Sequence, residues 1–183
     1  VTTVAEAMRR RRSLSKVTDA APSHDELLDL VAAAGRVADH SSLKPWRIIE
    51  IRGSGRERLG RALNKAEGRK GVSTKPLRAP LVLAVVVRFR KSKVPHWEQE
   101  AVASGVAHML SLALDDAGWG VFWRTGGATR SKAVAKAHGL TKNEELLGWL
   151  YVGGKPTRSR PLRGKEIDPT TFVSSMPGKK RSR

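Results

Sequence analysis

Apolar positions along this chain repeat with two periods, and the switching between them outlines the elements. Thr3-Val-Ala-Glu6 has the reciprocal spacing of a capping box and opens a short helix that runs into Arg9, Arg10, Arg11 and Arg12. Pro22-Ser23-His-Asp-Glu26 repeats the capping pattern, and Leu27, Leu28, Val31, Ala34 and Val37 follow at helical spacing. Residues 47–52 read as a strand through Ile48, Ile49 and Ile51. Gly53-Ser-Gly55 then turns the chain, with Ser54 and Glu57 placed to cap a helix carrying Leu59, Ala62 and Leu63. Residues 67–75 form a polar, glycine-containing loop. Residues 80–89 are a Val-rich core strand. Residues 98–117 put Val102, Val106, Met109, Leu110, Ala113 and Ala117 on one face of a long helix that ends at Gly118. A strand over 119–124, a short helix over 131–138 stopped by Gly139, and a core strand over 146–152 complete the series. Alternation of this kind suggests a doubly wound parallel sheet. Two helices precede the first strand, however, and that order suits a plain Rossmann arrangement poorly.

The pattern fades after Gly153-Gly154. Residues 155–183 hold nine Lys+Arg and four prolines with little periodicity. The expected organisation is a domain over 1–154 and an arm over 155–183 that wraps another surface or stays disordered, with the basic tail 177–183 disordered.

Composition narrows the chemistry. A length of 183 residues suits one domain with a sizeable core. The longest apolar run, residues 79–87, is too short to span a membrane, and no secretory layout follows the arginines, so a cytoplasmic protein is expected. With no cysteine in the chain, disulfides, thiolate catalysis and Cys-ligated metals are excluded. Thirty-five Lys+Arg against seventeen Asp+Glu give a net charge of +18, a field that attracts nucleic acid, phosphorylated cofactors and anionic membrane surfaces alike. The basic residues are spread over most segments, and one tyrosine and three phenylalanines offer few bases a stacking platform. Contact with nucleic acid is therefore expected only through non-specific charge.

Three constellations could carry chemistry. Arg9-Arg-Arg-Arg12-Ser13-Leu-Ser15-Lys16 offers guanidinium forks and hydroxyl donors that match phosphate. It also reads as a nucleic-acid contact or as a solvated helix end. Arg36-Val-Ala-Asp39-His40-Ser-Ser-Leu-Lys44-Pro45-Trp46 gathers donors and one titratable ring between rigid elements. Taken alone, His40 reads as a hydrogen bonder that pins its loop, and the five scattered histidines show no metal-site spacing. Trp119-Gly-Val-Phe-Trp123-Arg124-Thr125-Gly126-Gly127 ends a strand in a guanidinium, a hydroxyl and permissive backbone. Alone it reads as an aromatic core strand and a glycine turn. No GxGxxG, Walker sequence, Ser–His–Asp set or paired-carboxylate arrangement is present, because Glu98 and Glu100 fall on different faces of their helix. An enzyme built this way would rely on a bound cofactor.

In order and spacing these segments resemble the FMN-dependent nitroreductase family, and within it the small NAD(P)H nitroreductases of the YdjA type. The resemblance runs through Arg11-Arg12-Ser13, Arg36…Asp39-His40…Pro45-Trp46, Val94-Pro-His-Trp97-Glu98-Gln99-Glu100, Gly118-Trp-Gly-Val-Phe-Trp123-Arg124-Thr125-Gly126, Gly148-Trp-Leu-Tyr-Val-Gly153 and Asp168-Pro-Thr-Thr-Phe172-Val173. It implies an α+β fold with a mixed, mostly antiparallel sheet packed among helices. It also implies a homodimer with FMN at the interface and a C-terminal arm, residues 168–174 above all, exchanged between subunits. Arg11, Arg12 and Ser13 would contact FMN, Arg36 and His40 would reach it from the other subunit, and Trp123, Arg124 and Thr125 would close the site. Residues 113–118, ending at Gly118, match a stretch associated with NADP. Hydride would pass from NAD(P)H through flavin N5 to a nitroaromatic or quinone by a ping-pong mechanism, with no catalytic side chain and no metal. Lys44 stands where the family commonly has an amide, and Lys16 where arginine is usual. A flavin-binding relative without nitroreductase activity, or a basic nucleic-acid-binding protein, is the alternative.

Overall fold

The computed structural model describes residues 3–157 and 167–176. Helix α1 (Val4–Arg10) begins at Thr3 with both halves of the capping box formed. Helix α2 (His24–Ala34) begins at Ser23, whose hydroxyl accepts from the Glu26 N–H. The return half of that second box is not made. The Glu26 carboxylate instead accepts from Trp119 Nε1 at 2.6 Å, a tertiary partner that sequence spacing could not reveal.

Strands β1 (Trp46–Ile51), β2 (Leu81–Arg88), β3 (Trp119–Arg124) and β4 (Glu144–Gly154) form one sheet in the order β1-β2-β4-β3. All three pairings are antiparallel. The parallel, doubly wound reading is thereby corrected, and the fold is α+β. Helices α2 and α4 (His96–Asp116) pack Leu27, Ala34, Val106, Leu110 and Leu114 on one face, against Leu83, Val85 and Leu150. Helices α3 (Ser54–Ala66) and α5 (Lys132–Ala137) pack Leu59, Leu63 and Val134 on the other, against Val82, Val86 and Trp149. Helices on both faces produce the strand–helix alternation of an α/β sequence. The direction of each strand is decided by pairings that periodicity does not encode. As the second strand from the edge and covered on both faces, β2 is buried from Leu81 to Val87, which explains its unbroken Val-rich run.

Two local expectations shift. Helix α3 is capped by Gly53, at φ 49°, with no side-chain hydrogen bond, so Ser54 lies inside the helix and does not cap it. Helix α4 starts two residues before the expected position, at His96 behind Pro95. Gln99, 1% exposed, accepts from the Arg90 N–H and donates to the Arg90 and Val94 carbonyls, stapling the 90–95 loop to the helix. A single buried amide on an apolar helix face is the sequence signal that marks it.

Beyond β4, residues 168–173 form a turn in which the Asp168 carboxylate accepts from the Thr170 N–H and hydroxyl. Phe172 and Val173 are largely exposed. The expected disorder of 177–183 lies outside the described residues. No helix among those described is long and apolar enough to cross a membrane.

Candidate functional site

The chain leaving α1 crosses the end of the sheet. The Leu14 N–H donates to Val121 O at 2.8 Å, Thr18 N–H to Gly154 O at 2.9 Å, and Gly154 N–H to Ala20 O at 2.8 Å. Gly120 and Gly153 pair across β3 and β4, and a Cβ built on either would meet Val17, at 2.9 and 2.6 Å respectively. Two facing glycines therefore clear the ground on which Val17 lies, which brings Arg11, Arg12 and Ser13 up to β3. Arg11 and Ser13 are exposed there and Arg12 is half-buried.

Pleating sends Trp123 and Arg124 to opposite faces of β3. The Trp123 ring tilts against His108 of α4, with centroids 4.9 Å apart. The Arg124 guanidinium lies over two rings, 4.6 Å from the Phe122 centroid and 5.1 Å from that of Tyr151. Gly148 permits this strand end to close, since a Cβ there would come within 2.5 Å of both Arg124 O and Trp123 Nε1. A cavity of about 510 Å³ and another of about 380 Å³ lie on this molecule, both within the size range of small-molecule sites. The smaller is lined by Lys75, Phe122, Arg124, Thr125, Gly126 and Tyr151. Trp123 Nε1 and Arg124 Nε are both buried without a hydrogen-bond partner. Buried donors left in this way carry a desolvation cost that an acceptor would relieve. Burial raises the Tyr151 phenol above its usual range, opposed by the adjacent Arg124 charge. Lys75 is held by Glu67 at 2.7 Å.

The second constellation builds a turn beside the first turn of α4. Arg36 is exposed just past the α2 cap. Asp39 O accepts from the Ser42 N–H and Asp39 Oδ2 from the Lys44 N–H at 2.7 Å. Ser41, Ser42 and Lys44 all have positive φ, at 63°, 50° and 46°. Three non-glycine residues in the left-handed region mark a loop held in a costly shape, as functional loops often are. His40 Nδ1 sits 2.9 Å from Glu98 Oε2, a pairing made by folding that joins residues of two separate motifs. The larger cavity lies beside this turn, with Asp39, His40, Trp97 and Glu98 in its wall. Glu98 and His108 are ten residues apart in α4, about 15 Å along its axis. One chain thus carries two groups of candidate residues at separate stations of a single helix, rather than one pocket.

Gly118, at φ 93°, ends α4 and turns the chain into β3. Its observed task is that turn. Elsewhere, the Glu144 side chain is 2% exposed and accepts from Arg47 Nε and Nη2, from Arg88 Nε, and from the Thr141 N–H. The Arg47 guanidinium above all, with Arg88 beside it, holds this carboxyl well below the usual range despite burial. His138 is pushed down by burial, and Trp149 Nε1 donates to its Nε2 while Val134 O faces its Nδ1. No signal in the sequence links 47, 88 and 144. Among the described residues no three His, Asp or Glu side chains cluster to hold a metal.

Known proteins share both the sequence and this architecture. The Nitroreductase family model matches residues 8–154. The "Putative NAD(P)H nitroreductase YdjA" of Escherichia coli (strain K12) is 34% identical over 178 residues, covering 92% of this chain and 97% of its own. A nitroreductase-like family protein from Bacillus cereus superposes with a TM-score of 0.83 at 23% identity, over 97% of this chain and 98% of its own. A point mutant of the FMN and NADPH-dependent nitroreductase NfnB, from "sphigopyxis sp. strain HMH", superposes with a TM-score of 0.79 at 16% identity, over 97% and 100%. With most of its length matched by the family model and a relative above 30% identity aligned nearly end to end, this chain belongs to the nitroreductase family.

Proposed function

We propose that the protein is an FMN-dependent NAD(P)H oxidoreductase acting on nitroaromatics or quinones as a homodimer. The observation that carries this reading is the Arg124 guanidinium, lying on the Phe122–Tyr151 shelf with its Nε buried and unpartnered, in the wall of a cavity of about 380 Å³. A planar cation with a spare donor suits the phosphate or a carbonyl of an anionic flavin nucleotide. Ser13 and the exposed Arg11 add donors from the segment laid across β3. The residues present fit the cofactor that the family uses.

Bound FMN would supply a hydride relay between NAD(P)H and the acceptor, the chemistry of a ping-pong cycle. The protein's side chains bind and orient. Arg11, Arg12 and Ser13 would hold the cofactor with Arg124 and Thr125, while the Trp123 indole N–H would offer a neutral donor. Gly118 and the α4 end beside it form the approach for the nicotinamide nucleotide. Arg36 and His40 lie at the other station of α4, and in a dimer they would reach the partner's flavin. Val4 and Met8 of α1, with Met109 of α4, leave apolar side chains exposed, as a subunit interface requires. Phe172 and Val173, more exposed still, would anchor an arm wrapped on the partner.

The test is anaerobic. The purified protein should show a flavin band that bleaches with NADPH or NADH and recovers with a nitroaromatic or quinone. A colourless protein that takes up no added FMN would exclude the reading. If such a protein were retained on DNA in a salt-dependent way, the basic surface would be its binding function instead. Tight FMN without reduction by either nucleotide would make it a flavin-binding relative.

Lys44 offers a finer prediction. Its left-handed backbone is pinned by the Asp39 carboxylate, and its side chain is exposed. A cation beside the flavin would stabilise the negative charge that reduction places on it. Lys44→Gln should therefore lower the midpoint potential in a spectroelectrochemical titration. An unchanged potential would remove Lys44 from the site.

A further inference from the structure

Folding sorts the charges of the long helices by the face of the sheet they cover. Helices α2 and α4 together carry seven Asp and Glu and no Lys or Arg. Helices α3 and α5, on the other face, carry six Lys and Arg against the single Glu57. Of those six, Arg56 reaches inward and donates to Ala79 O at 2.8 Å. The other five, Arg58, Arg61 and Lys65 of α3 with Lys132 and Lys136 of α5, are exposed. Arg58 lines a crevice with Ala137 and His138, which sets the two basic rows side by side. Among the described residues, Arg58, Lys65, Lys132 and Lys136 have no ion-pair partner, and Arg61 has only the exposed Glu57 at 3.8 Å. Arg10, Arg47, Arg52, Arg88 and Arg130 are all paired with carboxylates elsewhere. The five also face one another. Arg58 and Arg61, Arg61 and Lys65, and Lys132 and Lys136 are three or four residues apart, where like charges destabilise a helix. Among the described residues nothing offsets that repulsion, and an external polyanion would.

From this we infer that the α3–α5 face docks on the phosphate backbone of duplex DNA, without regard to base sequence and apart from the flavin site. Arg58 to Lys65 span about 10 Å of α3, a length over which a duplex presents about six charges. Cations of this kind position a protein on the backbone and read no bases. A single strand would call for stacking rings, and neither helix carries Phe, Tyr or Trp. An anionic membrane would call for apolar side chains to insert, and no large apolar side chain is exposed on either helix. The densest basic run in the sequence is not this surface. Arg9–Arg12 follow α1, which packs on α4, and Arg10 is held there by Asp116 at 2.8 Å. Val4, Met8 and Met109, the exposed apolar side chains of α1 and α4, are on that other layer too, so a dimer formed there leaves α3 and α5 in water. The inference does not rest on the oxidoreductase reading.

The test is fluorescence anisotropy of a labelled duplex of about 20 base pairs, titrated with the full chain between about 50 and 200 mM salt. The logarithm of the affinity should fall with the logarithm of salt with a slope of about −4, as five phosphate contacts require. Two charge-matched triple variants are compared. Arg58→Gln with Arg61→Gln and Lys136→Gln should weaken binding about 100-fold and flatten the slope by about 3. Arg9→Gln with Lys91→Gln and Lys93→Gln, exposed cations elsewhere, should change it less than about threefold. The basic residues within 179–183 are common to all three proteins. Equal losses in the two triples would overturn the inference, since the whole +18 field and not this face would then hold the DNA. Tighter binding of a single strand of the same length would also overturn it, as would no duplex binding at the lowest salt. Phosphatidylglycerol vesicles bound in preference to the duplex would give the face to a membrane instead. Should the first triple fail to fold, Lys132→Gln with Lys136→Gln repeats the comparison on α5 alone. The flavin spectrum and turnover bear on the oxidoreductase reading only, because anisotropy needs neither.

Discussion

Replacing Glu144 by glutamine is expected to lower the unfolding free energy by about 2 kcal/mol at pH 7. The carboxylate is 2% exposed and accepts from both Arg47 and Arg88, so its loss strands two guanidiniums facing an amide that brings donors of its own. Removing one partner of a fully buried pair costs about 3–5 kcal/mol. Here the arginine side chains are 28% and 38% exposed, and water relieves part of that cost. In a chain of this length the change corresponds to roughly 4–8 °C in Tm. The sign of the pH dependence follows from a carboxyl held below its usual range by Arg47 first and then Arg88. Its contribution is complete above the unfolded carboxyl pKa, about 4.3. It is lost as pH falls from there toward the lower folded value. Thermal melts of the two proteins should therefore differ most at neutral pH and converge below about pH 4. A constant difference down to pH 2 would show that Glu144 stabilises by packing rather than by charge.

The second large effect concerns Arg124. Arg124→Gln should weaken FMN binding by about 10–100-fold in a fluorescence titration, the scale of one hydrogen bond to a charged group. The fold should be nearly unaffected. The guanidinium's contact with Phe122 and Tyr151 contributes only about 0.5–1 kcal/mol, and its removal also eliminates a buried donor without a partner. Arg124→Lys should recover only part of the affinity, because an ammonium keeps the charge but not the planar fork. Equal FMN affinity in all three proteins would move the cofactor away from this strand end. A large drop in Tm without loss of affinity would make Arg124 a structural residue.

The two predictions separate what holds the sheet from what the sheet holds. Glu144 opens β4 and ties it to β1 and β2 through the two arginines, far from the strand end where Arg124 stands. His138 adds a smaller acid sensitivity of the same sign. Burial disfavours its cation, so folding loses free energy as pH falls below the unfolded imidazole value of about 6.5.

What the sequence determined was local and periodic. The capping box at Thr3, the Val-rich β2, the long α4 ended by Gly118 and the Trp-Arg-Thr-Gly strand end all follow from residue type and spacing over a few positions. The shared motifs also identified the family. Tertiary structure decided the rest, because the rest depends on partners distant in the chain. Strand direction was decided by the pairing of β2 with β1 and β4, which placed antiparallel neighbours where alternation suggested parallel ones. Glu26 gave up its capping role for Trp119, ninety-three residues away. His40 found Glu98, and Arg47 and Arg88 found Glu144, through approaches that no periodicity records. Charge shows the division most clearly. The sequence supplies a sum of +18, but only folding separates a cavity with Arg124 and Lys75 in its wall from one whose charged wall is Asp39 and Glu98. A sum acts over the whole surface, whereas recognition depends on the few groups that a fold brings within a few ångströms of a ligand.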